Sequence, residues 1–175
     1  ARACPGASVE LAAMPTPGLA VVAMGYGRDS LDRMPRGFGA LAPREEGLRI
    51  LGCLWDTHLF PGRSPEGQLL VRCMIGGATD PDGANLLPVD LIETAHADLV
   101  RLFGPLQQPE FTEVTRWPDA IPQYELGHAA RVKRIETALT EGRPGLHLAG
   151  NALHGVAFGK AAARGWFVGA AAADE

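Results

Sequence analysis

Short apolar runs separated by glycine and proline breaks set the rhythm of this chain. Leu19–Tyr26 is apolar, bounded by Pro17-Gly18 and by Gly27, and predicts a strand. Residues 28–36 are polar and turn-rich, and Gly37–Pro43 is a glycine-containing loop entering a short strand. Leu48–Trp55 and Gln68–Ile75 read as two further strands. The turn segment Phe60–Pro65 lies between them, and Gly76-Gly77 closes the second, so an antiparallel hairpin is expected. Thr79–Asn85 is loop. Leu87–Phe103 then changes to a helical period, with Leu91, Ala95, Leu99 and Leu102 on one face and Glu93, Asp98 and Arg101 mainly elsewhere; Gly104-Pro105 stops it.

Pro109–Arg116 alternates and predicts a strand. Trp117–Tyr124 carries two prolines and is expected to be extended or irregular. Gly127–Leu139 predicts a helix with Val132, Ile135 and Leu139 inward, Gly145–Ala149 a short buried strand, and Gly155 to about Val168 a helix of small residues. Strands and helices together imply an α/β or α+β mixed fold. No G-x-G-x-x-G loop follows a strand and opens a helix, as a self-contained dinucleotide-binding domain would need.

Composition narrows the function classes. The 175 residues are 46% apolar and 21% charged, enough for a real core, and the net charge is -4. No basic stripe is present to neutralise phosphates, so nucleic acid is not an expected partner. No apolar stretch reaches membrane-spanning length, and Ala1–Gly6 does not open a signal peptide. Cys4, Cys53 and Cys73 form no CxxC pair. Cys53 and Cys73 lie in apolar runs and read as small buried hydrophobes, and the odd count points to a reducing compartment.

Leu146–Lys160 reads as strand, glycine turn and helix start. Unpaired amides at a helix start suit an anion or the polar edge of a ring, and Gly150, Gly155 and Gly159 allow close backbone approach. The same pattern also serves as an ordinary strand-to-helix turn.

Ala149-Gly150-Asn151 followed by Gly155-Val156-Ala157-Phe158 resembles the C-terminal flavin-contacting segment of the protoporphyrinogen oxidases, a branch of the amine-oxidase-like flavoproteins. The pattern there is A-G-N or A-G-A, a spacer, then G-V-A-V, so Phe158 replaces a valine. Gly37–Pro43 resembles the family's G-F-G-x-L-V-P, Met74–Gly77 its strand end before a glycine pair, and Trp117–His128 its W-x-x-A-I-P-Q-Y-x-x-G-H. The likeness runs from about Leu19 to Gly165.

The resemblance implies FAD as cofactor, with Asn151 and the backbone of Val156, Ala157 and Phe158 in contact with it and Trp117 near its apolar ring edge. It implies an apolar wall of Leu41, Leu54, Met74 and Ile121 against a tetrapyrrole substrate. From the residues alone, these four also read as plain core and Trp117 as a core aromatic. No general base is implied. His128, at a helix start, is expected to cap or pack, and His154 falls in the spacer. The expected reaction is the six-electron oxidation of protoporphyrinogen IX to protoporphyrin IX, with oxygen as acceptor.

The chain is therefore expected to be the C-terminal part of a two-domain oxidoreductase. Residues 1–123 would belong to a substrate-binding part built on a mixed sheet, and 124–175 would supply the last strand and helix of the FAD-binding domain. A separate N-terminal half would be needed for flavin binding and turnover, and exposed apolar edges are expected. A cytoplasmic location is expected, with peripheral attachment to the inner membrane and a homodimer left open. The rivals are a coproporphyrinogen-oxidising or carotenoid-desaturase relative, a non-catalytic tetrapyrrole-binding module, and an inert remnant.

Overall fold

The computed structural model describes residues 4–31 and 33–173. Position 32 of the turn-rich 28–36 stretch, and the end residues 1–3 and 174–175 of the two expected parts, lie outside the described residues. The chain divides into two compact units, one of residues 18–120 and one of residues 1–17 with 121–175. The sequence reading divides it instead at 123/124; in the structure the first 17 residues go with the C-terminal segment.

The 18–120 unit is built on a five-stranded sheet. The strands are β1 (Leu19–Tyr26), β2 (Gly39–Leu41), β3 (Ile50–Trp55), β4 (Leu69–Gly76) and β5 (Phe111–Trp117), in the order β2-β3-β4-β1-β5. Strict alternation explains β1 and β4. Ala20, Val22, Met24 and Tyr26 are buried on one face, as are Leu69, Val71, Cys73 and Ile75, while the residues between them are half-buried on the other. Every pairing is antiparallel, so the sheet is not mixed as expected. The hairpin of β3 and β4 forms as the turn signals imply, with Cys53 opposite Cys73 and both fully buried. Burial pushes both thiols above their ordinary range and holds them as neutral hydrophobes.

Two short helices, α2 (Arg28–Leu31) and α3 (Asp56–Leu59), connect strands, and α4 (Pro88–Phe103) covers the core face of the sheet. Pro88 opens α4 at its first position and Gly104, at φ 85°, ends it. Leu91, Ala95 and Leu99 are fully buried as expected, whereas Leu102 in the last turn is exposed. Asp98, expected on the outer face, is buried. It lies one residue from Leu99, on the sheet side, and finds backbone donors there.

The second unit is helical: α1 (Pro5–Ala12), α5 (His128–Gly142), α6 (Asn151–His154) and α7 (Phe158–Ala173). Val132, Ile135 and Leu139 of α5 form its core with Cys4, Ala7, Met14 and Leu153. The strand expected at Gly145–Ala149 is not formed. The segment finds no neighbouring strand among the described residues, and an unpartnered strand has no ladder to stabilise it. The helix expected from Gly155 starts at Phe158 instead, because Gly155 sits at φ 129°, outside helical space. α7 buries no residue and leaves Phe158, Trp166 and Phe167 exposed.

Candidate functional site

In the 18–120 unit, the sheet face turned away from α4 is half-buried at its centre and exposed at Leu41 and along β5. Because partners across an antiparallel ladder share a face, the register identifies what lies there. Leu41, Gly52, Met74, Val21 and Thr115 form one row across all five strands. Gly39, Leu54, Arg72, Ala23 and Glu113 form the next row, and Gly76, Leu19 and Trp117 share a third. Leu41, Leu54, Met74 and Trp117, picked out separately along the sequence, thus share one face. Leu54 and Met74 are half-buried, while Leu41 and Trp117 are exposed.

A register shift between Ile50 and Gly52 makes this possible. The extra residue, Leu51, lets Ile50 face the core while Gly52 and Leu54 face outward. Gly39 and Gly52 let β2 approach β3 closely: a Cβ on Gly39 would lie 2.1 Å from the Cys53 carbonyl oxygen, and one on Gly52 2.5 Å from that of Ala40.

Arg72 carries the one positive charge in these rows. It is held in a bidentate pair by the buried carboxylate of Asp56, with Nη2 2.7 Å from Oδ1 and Nε bonded to Oδ2. The hydrogen bond to Asp56 raises the Arg72 pKa further, so the charge is permanent but already paired. The face is therefore mostly apolar, with one neutralised cation and an exposed Glu113, a surface for a large ligand with few polar groups.

The second unit holds the other candidates. Ile121 is exposed and its carbonyl accepts a bond from Gln123 Nε2 at 2.8 Å. Asn151, Val156, Ala157 and Phe158 lie on or beside one glycine-bounded turn, and all four are exposed or half-exposed. Gly150 and Gly155 adopt φ 140° and 129°, and a Cβ built on Gly150 would meet nothing within 4 Å, so the backbone is open there. The first amides of α7 have no carbonyl one turn earlier to bond. Exposed backbone donors and one exposed side-chain amide fit the polar edge of a flavin ring.

Two residues that sequence reasoning did not assign to the site hold this turn. Tyr124 Oη donates to the Asn151 carbonyl at 2.6 Å and accepts from the Gly155 N–H at 2.7 Å. His128 makes no capping bond. Its ring stacks on Tyr124 and its Nε2 hydrogen-bonds the Leu153 carbonyl at 3.1 Å. His154 pairs with Glu136 at 3.0 Å, which Arg164 also approaches at 3.2 Å.

Comparison with known proteins follows the same lines. A family model described as flavin containing amine oxidoreductase matches residues 3–173. Protoporphyrinogen oxidase 1 from the chloroplast of Spinacia oleracea is 37% identical over 153 residues, covering 82% of this chain and 27% of its own length. Coproporphyrinogen III oxidase from Bacillus subtilis (strain 168) is 33% identical over 138 residues, covering 79% of this chain and 29% of its own. The chain thus spans less than a third of the length of these relatives. A crystal structure from Exiguobacterium sp. 255-15, carrying a provisional protoporphyrinogen oxidase name, superposes with a TM-score of 0.82 over 95% of this chain and 37% of that one; at 22% identity it supports the fold alone. Among the described residues, no helix is long and apolar enough to cross a membrane.

Proposed function

The chain belongs to the flavin containing amine oxidoreductase family, and from that premise we propose that it forms the substrate wall and part of the flavin contact of a FAD-dependent porphyrinogen oxidase. The observation that carries this reading is the sheet face shared by Leu41, Leu54 and Met74. Aliphatic side chains and a polarizable methionine suit a macrocycle that is mostly apolar. Protoporphyrinogen IX, with two carboxylates, fits this face better than coproporphyrinogen III, with four, because Arg72 is the only cation in the rows and Asp56 already pairs it. The split among relatives keeps coproporphyrinogen as the second substrate to test.

In this proposal residues 1–123 serve the substrate side, 1–17 and 121–123 from within the helical unit, and 124–175 serve the FAD side. Trp117 shields the apolar ring edge. Asn151 and the backbone of Val156, Ala157 and Phe158 hold the polar edge, and Ile121 completes the wall. Bound flavin supplies the hydride acceptor. The residues of this chain orient the macrocycle and exclude water; none is assigned as an acid or base. Electrons would pass to oxygen, released as hydrogen peroxide. Cytoplasmic location, peripheral attachment to the inner membrane, a homodimer and a companion N-terminal half belong to the same proposal.

The test is to supply the purified full-length protein with FAD and oxygen and to follow porphyrin fluorescence from each porphyrinogen separately. Protoporphyrin formation above the uncatalysed rate, faster than coproporphyrin formation, is expected. The reverse order would move the assignment to coproporphyrinogen. Bound FAD without oxidation of either substrate would overturn the porphyrinogen reading.

A further inference from the structure

The four-residue helix α6 is too short to hold itself, since one turn fixes several backbone dihedrals for little hydrogen bonding in return. It is flanked by Gly150 and Gly155, the two residue positions with the most backbone freedom in the segment. Its N-cap, Gly150, offers no side-chain bond. Left to its own contacts, the stretch would sample many conformations.

Three hydrogen bonds from outside the stretch hold its backbone, beside the His154–Glu136 pair and the buried Leu153. The Tyr124 hydroxyl uses both its donor and an acceptor site, giving its proton to the Asn151 carbonyl at 2.6 Å and taking the Gly155 N–H at 2.7 Å. One atom therefore ties the first residue of α6 to the residue just after it. His128 Nε2 reaches the carbonyl of Leu153, between those two, at 3.1 Å. A carbonyl only accepts, so Nε2 carries the proton in this contact. The two rings stack with centroids 3.6 Å apart and planes within 12°, so each side chain fixes the other. His128 lies in α5, whose Val132, Ile135 and Leu139 are buried in the core of this unit, so the clamp stands on a rigid base.

We propose that Tyr124 and His128 are positioning residues for the flavin-contacting turn. They touch no flavin in this assignment. They act through the backbone of 151–155, presenting the Asn151 side chain and the amides that lead into α7. The inference rests on the flavin reading given above.

The test uses the full-length protein with Tyr124→Phe, which keeps the stacked ring and deletes both hydroxyl bonds. Amide hydrogen exchange is read across 151–157 without cofactor, and FAD affinity is read separately by titration. Expected are exchange about tenfold faster in 151–157, unchanged exchange in the middle of α5, and FAD affinity weaker by about tenfold, the effect of losing two ordinary hydrogen bonds. His128→Phe keeps the stacking surface, loses one bond, and should move both readouts the same way by about threefold. It covers the case in which Tyr124→Phe fails to fold. Faster exchange with FAD affinity within twofold of wild type would overturn the positioning role. Unchanged exchange would overturn the clamp. Wild-type protein that takes up no FAD would sink the flavin reading and the positioning role with it, an outcome separate from the other two.

Discussion

The carboxylate of Asp98 on α4 accepts the backbone N–H of Ile50, the first residue of β3, at 3.0 Å. The same oxygen takes the Arg49 N–H at 2.7 Å, so one buried side chain anchors the strand entry next to its register shift. Asp98→Ala would leave two amides without their acceptor. We expect a loss of about 2–4 kcal/mol, measured by urea unfolding, with Asp98→Asn costing less because one acceptor remains. A loss under about 1 kcal/mol would mean that water replaces the carboxylate.

Gly39 and Gly159 should respond in opposite directions to alanine. At Gly39 the new Cβ meets the Cys53 carbonyl oxygen at 2.1 Å, so β2 must lift away from β3. Gly39→Ala should lower stability by roughly 2 kcal/mol or more. At Gly159, inside α7, a Cβ meets nothing within 4 Å, and Gly159→Ala should raise helix stability by up to about 1 kcal/mol. Thermal melting of the two variants side by side tests both.

Leu41 is 87% exposed, so its replacement should leave the fold unchanged within about 0.5 kcal/mol. If it forms part of the substrate wall, Leu41→Ser removes apolar area that the macrocycle would cover. Porphyrin affinity, followed by fluorescence quenching, should then fall about three- to tenfold with no shift in melting temperature. Equal affinity in variant and wild type would remove Leu41 from the wall.

Acid should loosen α1 from α5. Glu10 receives Arg134 Nε at 2.5 Å and Nη2 at 2.9 Å. This hydrogen bonding, aided by the charges of Arg134 and Arg131 and opposed by desolvation, holds its carboxyl below the ordinary range. A lowered carboxylate pKa stabilises the folded form above the ordinary value, and that contribution is lost as pH falls through the folded value. Hydrogen-exchange protection of Pro5–Ala12 should therefore hold from neutrality down to about pH 4.5, the ordinary value, and drop as pH falls further through the lowered Glu10 value. Glu10→Gln should start lower and lose that pH dependence.

Period and punctuation alone specified β1, β4, α4 and the buried face of α5. Each buries a regular stripe, and glycine or proline marks its ends, so local chemistry and tertiary packing agree. The resemblance carried Leu41, Leu54, Met74 and Trp117 as four separate positions. Only strand pairing joined them on one face, because a shared face depends on register and on the extra residue Leu51. Likewise, Tyr124 and Gly155 are 31 positions apart, and no pattern along the chain foretells a hydroxyl shared between two backbone groups. Gly145–Ala149 has the composition of a strand but no partner among the described residues, since a strand forms only where a neighbour bonds to it. Sequence determined which segments could be helix or strand. Tertiary structure decided which faces met, which polar groups were shared and which apolar surface stayed open, because those depend on contacts between residues far apart in the chain.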